Sequence, residues 1–217
     1  MKKTGFINRV HKGLRVWLFE AGTTAQQTDF TNIEEGRKTV LELQHLLKAL
    51  GRKSLMEEQH FLPALALQAP YVLSLVEEEK NQVKDLSARL SRCLQNYLQP
   101  GTSGHYRSAG LSIQETYMEF LSFMLIYMNR QESLFNGLVS FDNASSLIME
   151  SEENGGIELF SWMLKGMNNR EIAEWLENDS ALPYNKKMAL LGTLSPERLQ
   201  AAGVESDFRT KGVLFAA

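Results

Sequence analysis

Proline stands only at positions 63, 70, 100, 183 and 196 of the chain. Proline removes a backbone donor and clashes with the preceding turn, so its rarity leaves long stretches free to be helical. Apolar residues in those stretches recur at helical spacing. Strand-like alternation is scarce, and no Asn-Gly turn stands between alternating runs. The chain therefore reads as all-α.

The first helix is expected over about Phe6–Ala21, where Val10, Leu14, Trp17, Leu18 and Ala21 share a face. Gly22-Thr23-Thr24 should end it. A second helix starts near Thr31-Asn32, with Glu34 and Glu35 in its first turn to complement the helix dipole. It reads as one long helix, weakened at Gly51 and bent or ended near Pro63. A third begins at Pro70, suited to a first helical turn, and runs to about Leu98. Residues Gln99–Gly110 read as a loop, with His105 a solvated loop histidine. A fourth helix is predicted to open on a capping box, Ser112-Ile-Gln-Glu115, and to continue past Leu134 and Phe135.

Four long amphipathic segments joined by mostly short connections predict an antiparallel up-down four-helix bundle over residues 1–141. Residues 142–217 have a different texture. Helical patches at 157–165, 169–177, 185–191 and 196–202 suggest a C-terminal extension of short helices packing on the bundle. Ile157, Leu159, Phe160, Trp162 and Met163 offer it an apolar surface in need of a partner, and a homodimer is one way to supply it.

The 217 residues are 43% hydrophobic and 23% charged, an ordinary globular balance. With 23 basic against 26 acidic residues and a net charge of -3, nothing argues for nucleic acid or a membrane surface as partner. Cys93 is the single cysteine, so an internal disulfide framework is excluded. On a helical pattern it reads as buried or half-buried filler. Arg9, His11, Lys12 and Arg15 interrupt any signal-peptide core, and no run approaches a membrane span. A cytoplasmic location is expected.

Three stretches carry a family resemblance. They are Val10-His11-Lys12-Gly13-Leu14, then Leu55-Met-Glu-Glu-Gln-His-Phe-Leu-Pro-Ala-Leu65, then Asn129-Arg-Gln-Glu-Ser-Leu-Phe135. In order and spacing they are similar to the motifs of hemerythrin-like cation-binding domains. Leu75-Val-Glu-Glu-Glu-Lys80 resembles the corresponding segment on the third helix. The match covers about residues 7–138. It implies a bundle around a di-iron centre, in which helices two and four each supply a His and, four residues on, a Glu. Helices one and three supply further imidazoles.

Carried onto this chain, the resemblance keeps His11 and the carboxylates Glu58 and Glu132. The other imidazole positions fall on Ser54, Met128 and Lys80, with Lys84 one turn later. A hydroxyl, a thioether and an ammonium are poor iron ligands. Two buried carboxylates without a cation would be costly, and Lys80 is placed to neutralise them, with His11 as a possible helper. Together these residues make a pseudo-site without a cofactor. The protein then reads as a binding, regulatory or scaffold protein with an unknown protein partner, rather than an enzyme. The rival is a residual metal protein binding di-iron or one divalent cation through His11, Glu58 and Glu132, with Glu79 or His60, for dioxygen or nitric oxide sensing or metal storage. A small organic ligand in the emptied interior is a third reading.

Other constellations are weaker. Glu42-x-x-His45 and Glu57-x-x-His60 are Glu-x-x-His pairs of the ferritin-like kind, but both lie on one helix, about 22 Å apart. Met118, Met124 and Met128 suit adaptable core filling. Tyr117 and Tyr127 can hydrogen-bond near the former metal site. No nucleophile–base order, phosphate-cradling glycine loop or zinc-spaced Cys/His cluster stands out.

Overall fold

The computed structural model describes residues 6–138, 156–178 and 184–203, and these are helices and short connections without a strand. The contacts divide the chain into two compact units. One holds residues 15–140, the other residues 1–14 with 141–217. Among the described residues no helix is long and apolar enough to cross a membrane.

Helix α1 (Phe6–Gln27) belongs in its first part to one unit and from Arg15 onward to the other. It runs five residues past the expected stop at Gly22. Gly22 lies beside the Tyr117 ring, which leaves little room for a side chain there. Tyr117 donates to the Leu18 carbonyl at 2.7 Å, and the Thr23 and Thr24 hydroxyls bond back to Phe19 and Glu20 within the helix.

Helix α2 (Ile33–Met56) is capped by Asn32, whose side chain accepts from the Glu35 amide. Gly51 is ordinary helix. The irregularity comes later, as a π turn over Glu57–Phe61 that leads into α3 (Leu62–Gln68). Pro63 has no N–H and its ring crowds the carbonyl four residues back, so the turn ahead of it opens.

Helix α4 (Pro70–Tyr97) starts at the predicted proline. Helix α5 (Ser103–Leu138) does not start at Ser112, and the expected loop is mostly its first two turns. His105 lies in that first turn, where a ring nitrogen is 3.2 Å from the Asn96 carbonyl. Thr102 receives the Tyr106 amide on its carbonyl and the His105 amide on its hydroxyl. Tyr106 and Ala109 are buried, Tyr106 sits edge-on to Tyr97 at 5.3 Å, and Gly110 abuts Phe30. A helical glycine costs about 1 kcal/mol, whereas burying a large apolar side chain gains roughly 1.5–3 kcal/mol, so packing overrides the local signal.

Cross-contacts fix the helix directions in residues 15–140. Arg130–Glu79, Glu119–Arg89, Thr116–Cys93 and Tyr106–Tyr97 step in opposite senses along α5 and α4. Gly36–Tyr97 and Ser54–Lys80 do the same for α2 and α4. Thr28–Thr39 and Trp17–His45 relate α1 to α2. Arg15–Asn129 and Ala25–Gln114 relate α1 to α5. Each of these neighbouring pairs is antiparallel.

The other unit holds the first part of α1 with α6 (Gly156–Gly166), α7 (Asn169–Asn178), α8 (Tyr184–Leu191) and α9 (Pro196–Ala201). Gly13 and Gly166 let α1 and α6 cross in backbone contact, since a Cβ at either would overlap the opposite chain. Asn168 and Glu171 form a capping box for α7, each side chain accepting the other's amide at 2.9 and 3.0 Å. Glu171 also pairs with Lys12. Burial raises its pKa, but Lys12 and the Asn168 amide outweigh that and hold the carboxyl below its ordinary value. Of the residues expected to need a partner, Phe160 and Met163 are buried and Trp162 half-buried. The side chains of Ile157 and Leu159 lie outside the described ones.

Candidate functional site

The interior stripe of α2 reads Leu43, Leu46, Leu50 and Lys53, and Glu57 continues it at the start of the π turn, all buried. Two charges thus continue an apolar face. Lys53 and Glu57 are one turn apart and ion-paired, each about 5% exposed. Desolvating such a pair costs several kcal/mol per ion, which the mutual attraction offsets only when the remaining bonds are made. Here they are made by α5. Lys53 Nζ donates to Gln131 Oε1 at 2.8 Å and lies 5.3 Å from the centre of the Tyr127 ring. Tyr127 donates its hydroxyl to Glu57 at 3.3 Å and receives the Gln131 amide at 2.7 Å. Burial, then the Glu57 carboxylate, pushes the Tyr127 phenol well above its ordinary pKa.

The next residue, Glu58, meets α4 instead. Lys80 Nζ donates to Glu58 Oε1 at 2.7 Å and to the Ser54 carbonyl at 3.1 Å. Its side chain is 5% exposed, while Glu58 is 37% exposed and also takes a bond from Lys84 at 3.1 Å. The hydrogen bonds from Lys80 and then Lys84 hold the Glu58 carboxyl below the usual carboxylate range.

The residues singled out in the sequence are thus distributed as follows. Ser54, Glu58, Lys80 and Lys84 come together. Glu132 pairs with Arg15 at 2.7 Å, and Arg15 also donates to Asn129 at 2.8 Å. Lys80 is therefore not needed as the counter-charge of both carboxylates. Met128 is fully buried, and His11 is buried on the part of α1 outside this unit. Glu79 pairs with Arg130. His60 falls in the π turn, and its side chain lies outside the described ones. His45 is exposed and edge-on to Trp17 at 5.8 Å, while Glu57, from the second Glu-x-x-His pair, belongs to the Lys53 network. Cys93 is half-buried, 3.5 Å from the Thr116 hydroxyl.

Two ammonium groups, Lys80 and Lys84, hold Glu58 Oε1, Ser54 presents its carbonyl to Lys80, and Met128 offers a thioether, a poor iron ligand. Among the described residues no three His, Cys, Asp or Glu side chains converge as a metal set. Sequence reasoning missed the pairing of Lys53 with Glu57, which it placed only in a Glu-x-x-His pair, and missed Gln131 and Arg15. The spacing of Leu46, Leu50, Lys53 and Glu57 carried a signal for the first pair, because charges at stripe positions call for partners. No family model matches the chain, and neither characterised proteins nor solved structures give a match.

Proposed function

We propose that α1, α2, α4 and α5 form a hemerythrin-like antiparallel four-helix bundle whose metal site has been replaced by internal ion pairs, and that the protein serves as a metal-free binding or scaffold protein. The antiparallel pairs supporting the bundle are those linking α1 to α2, α2 to α4, α4 to α5 and α5 to α1. The observation that carries the functional reading is Lys80, a buried ammonium bonded to the carboxylate that the family resemblance would give to iron. A cation taking Glu58 Oε1 would have to displace Lys80 and leave that buried ammonium only the Ser54 carbonyl. The Lys53–Glu57–Tyr127–Gln131 network stiffens the same end of α2 and α5.

Metal content by plasma mass spectrometry, before and after anaerobic incubation with ferrous iron, tests this reading. The expected result is no stoichiometric iron under either condition. About two irons per chain would overturn it in favour of a di-iron protein using His11, Glu58 and Glu132.

A further inference from the structure

The outer face of α4 and α5 carries an open groove of about 480 Å³. Val72, Leu75 and Val76 line it from α4, Ile126 and Leu134 from α5. Leu75 is 58% and Ile126 51% exposed, so the groove is an apolar strip open to water. The Glu79–Arg130 ion pair crosses the strip, and Arg130 remains 62% exposed.

We propose that this groove is a dimer interface whose occupant is the same α4–α5 face of a second copy of the chain. The two faces are complementary in charge. The helices run antiparallel, with the anion on α4 and the cation on α5 at one level. A two-fold axis along the groove lays the partner's α4 over this α5, so each Arg130 faces the partner's Glu79. One turn away, Leu75 of one copy comes level with Leu134 of the other. An isologous contact requires such a self-complementary patch, and a foreign helix would have to match both the apolar strip and both charges. This inference is independent of whether the bundle binds metal.

Sedimentation of the full chain tests it. The wild type is expected at twice the chain mass, and Leu75→Glu, which alters an exposed side chain, at the single mass with an unchanged circular dichroism spectrum. Glu79→Arg and Arg130→Glu should each be monomeric alone, because like charges then face each other across the axis. Mixed in equal amounts they should form a heterodimer, in which every facing pair is again opposite in sign. Within each mutant chain the charges stay alike, so recovery on mixing reports pairing between chains. A monomeric wild type, a dimer indifferent to Leu75→Glu, or a mixture that stays monomeric would overturn the proposal. A monomer whose melting temperature rises with decanoate would also overturn it and give the groove to a small amphiphile.

Discussion

Lys53 and Glu57 face each other across one helical turn with almost no access to water, and α5 supplies their remaining bonds. Removing one member strands the other. Lys53→Met is expected to destabilise the protein by about 3–5 kcal/mol in urea unfolding, because Glu57 is left buried without its cation. The double variant Lys53→Met/Glu57→Leu should recover most of that loss. A double variant no more stable than the single would show that the charges themselves hold the helices together.

Glu58 gives the fold a dependence on acid. Lys80 and Lys84 depress its pKa below the ordinary 4.5. The unfolded state therefore takes up the proton first as pH falls. The stabilisation is present above pH 4.5 and is lost as pH drops through the lower folded value. In Lys80→Met the melting temperature should fall at neutral pH and depend less on pH across that window. Melting scans of both proteins over the acid range make the comparison.

The buried phenols act in the opposite direction. Burial raises Tyr117, and burial with Glu57 raises Tyr127, above the ordinary 10.0. Their contribution is full below pH 10.0 and declines as the pH climbs beyond it, because only the unfolded chain ionises there. Tyrosinate absorbance should therefore rise in two stages, with the last residues ionising only as helical circular dichroism is lost. A single stage complete before unfolding would contradict the burial of these hydroxyls.

Two glycines in helices should respond to alanine with opposite signs. A Cβ at Gly13 would overlap the Trp162 backbone, whereas one at Gly51 would meet nothing. Gly13→Ala is expected to cost about 1–3 kcal/mol through overpacking. Gly51→Ala, on an exposed part of α2, should gain roughly 0.5–1 kcal/mol from helix propensity. Thermal unfolding of the two variants separates these effects.

Local punctuation made much of the helix plan readable. The helices at 156–166 and 169–178 match the patches read from sequence to within one residue, because Gly166 and the Asn168 cap separate them. Lys80 stood out because the family resemblance puts an imidazole at its position. What escaped were decisions made by distant residues. Helix α1 passes through Gly22 because of Tyr117, and α5 begins early because Phe30 and Tyr97 receive Gly110 and Tyr106. Arg15 figured in the sequence only as a charge interrupting a signal-peptide core, and α5 brings Glu132 to it. Spacing along one helix says that a charge faces inward, but not which helix answers it.

The Lys12–Glu171 pair spans 159 positions of the chain. At ordinary rates of translation, roughly 10–30 seconds separate the synthesis of its two members. For that interval Val10 and Leu14, buried in the finished fold, await the later helices of their own unit. A ribosome stalled before α6 would release a chain with one end of its first helix uncovered. That makes the late helices a natural checkpoint for quality control, and such a truncated product a good substrate for chaperones.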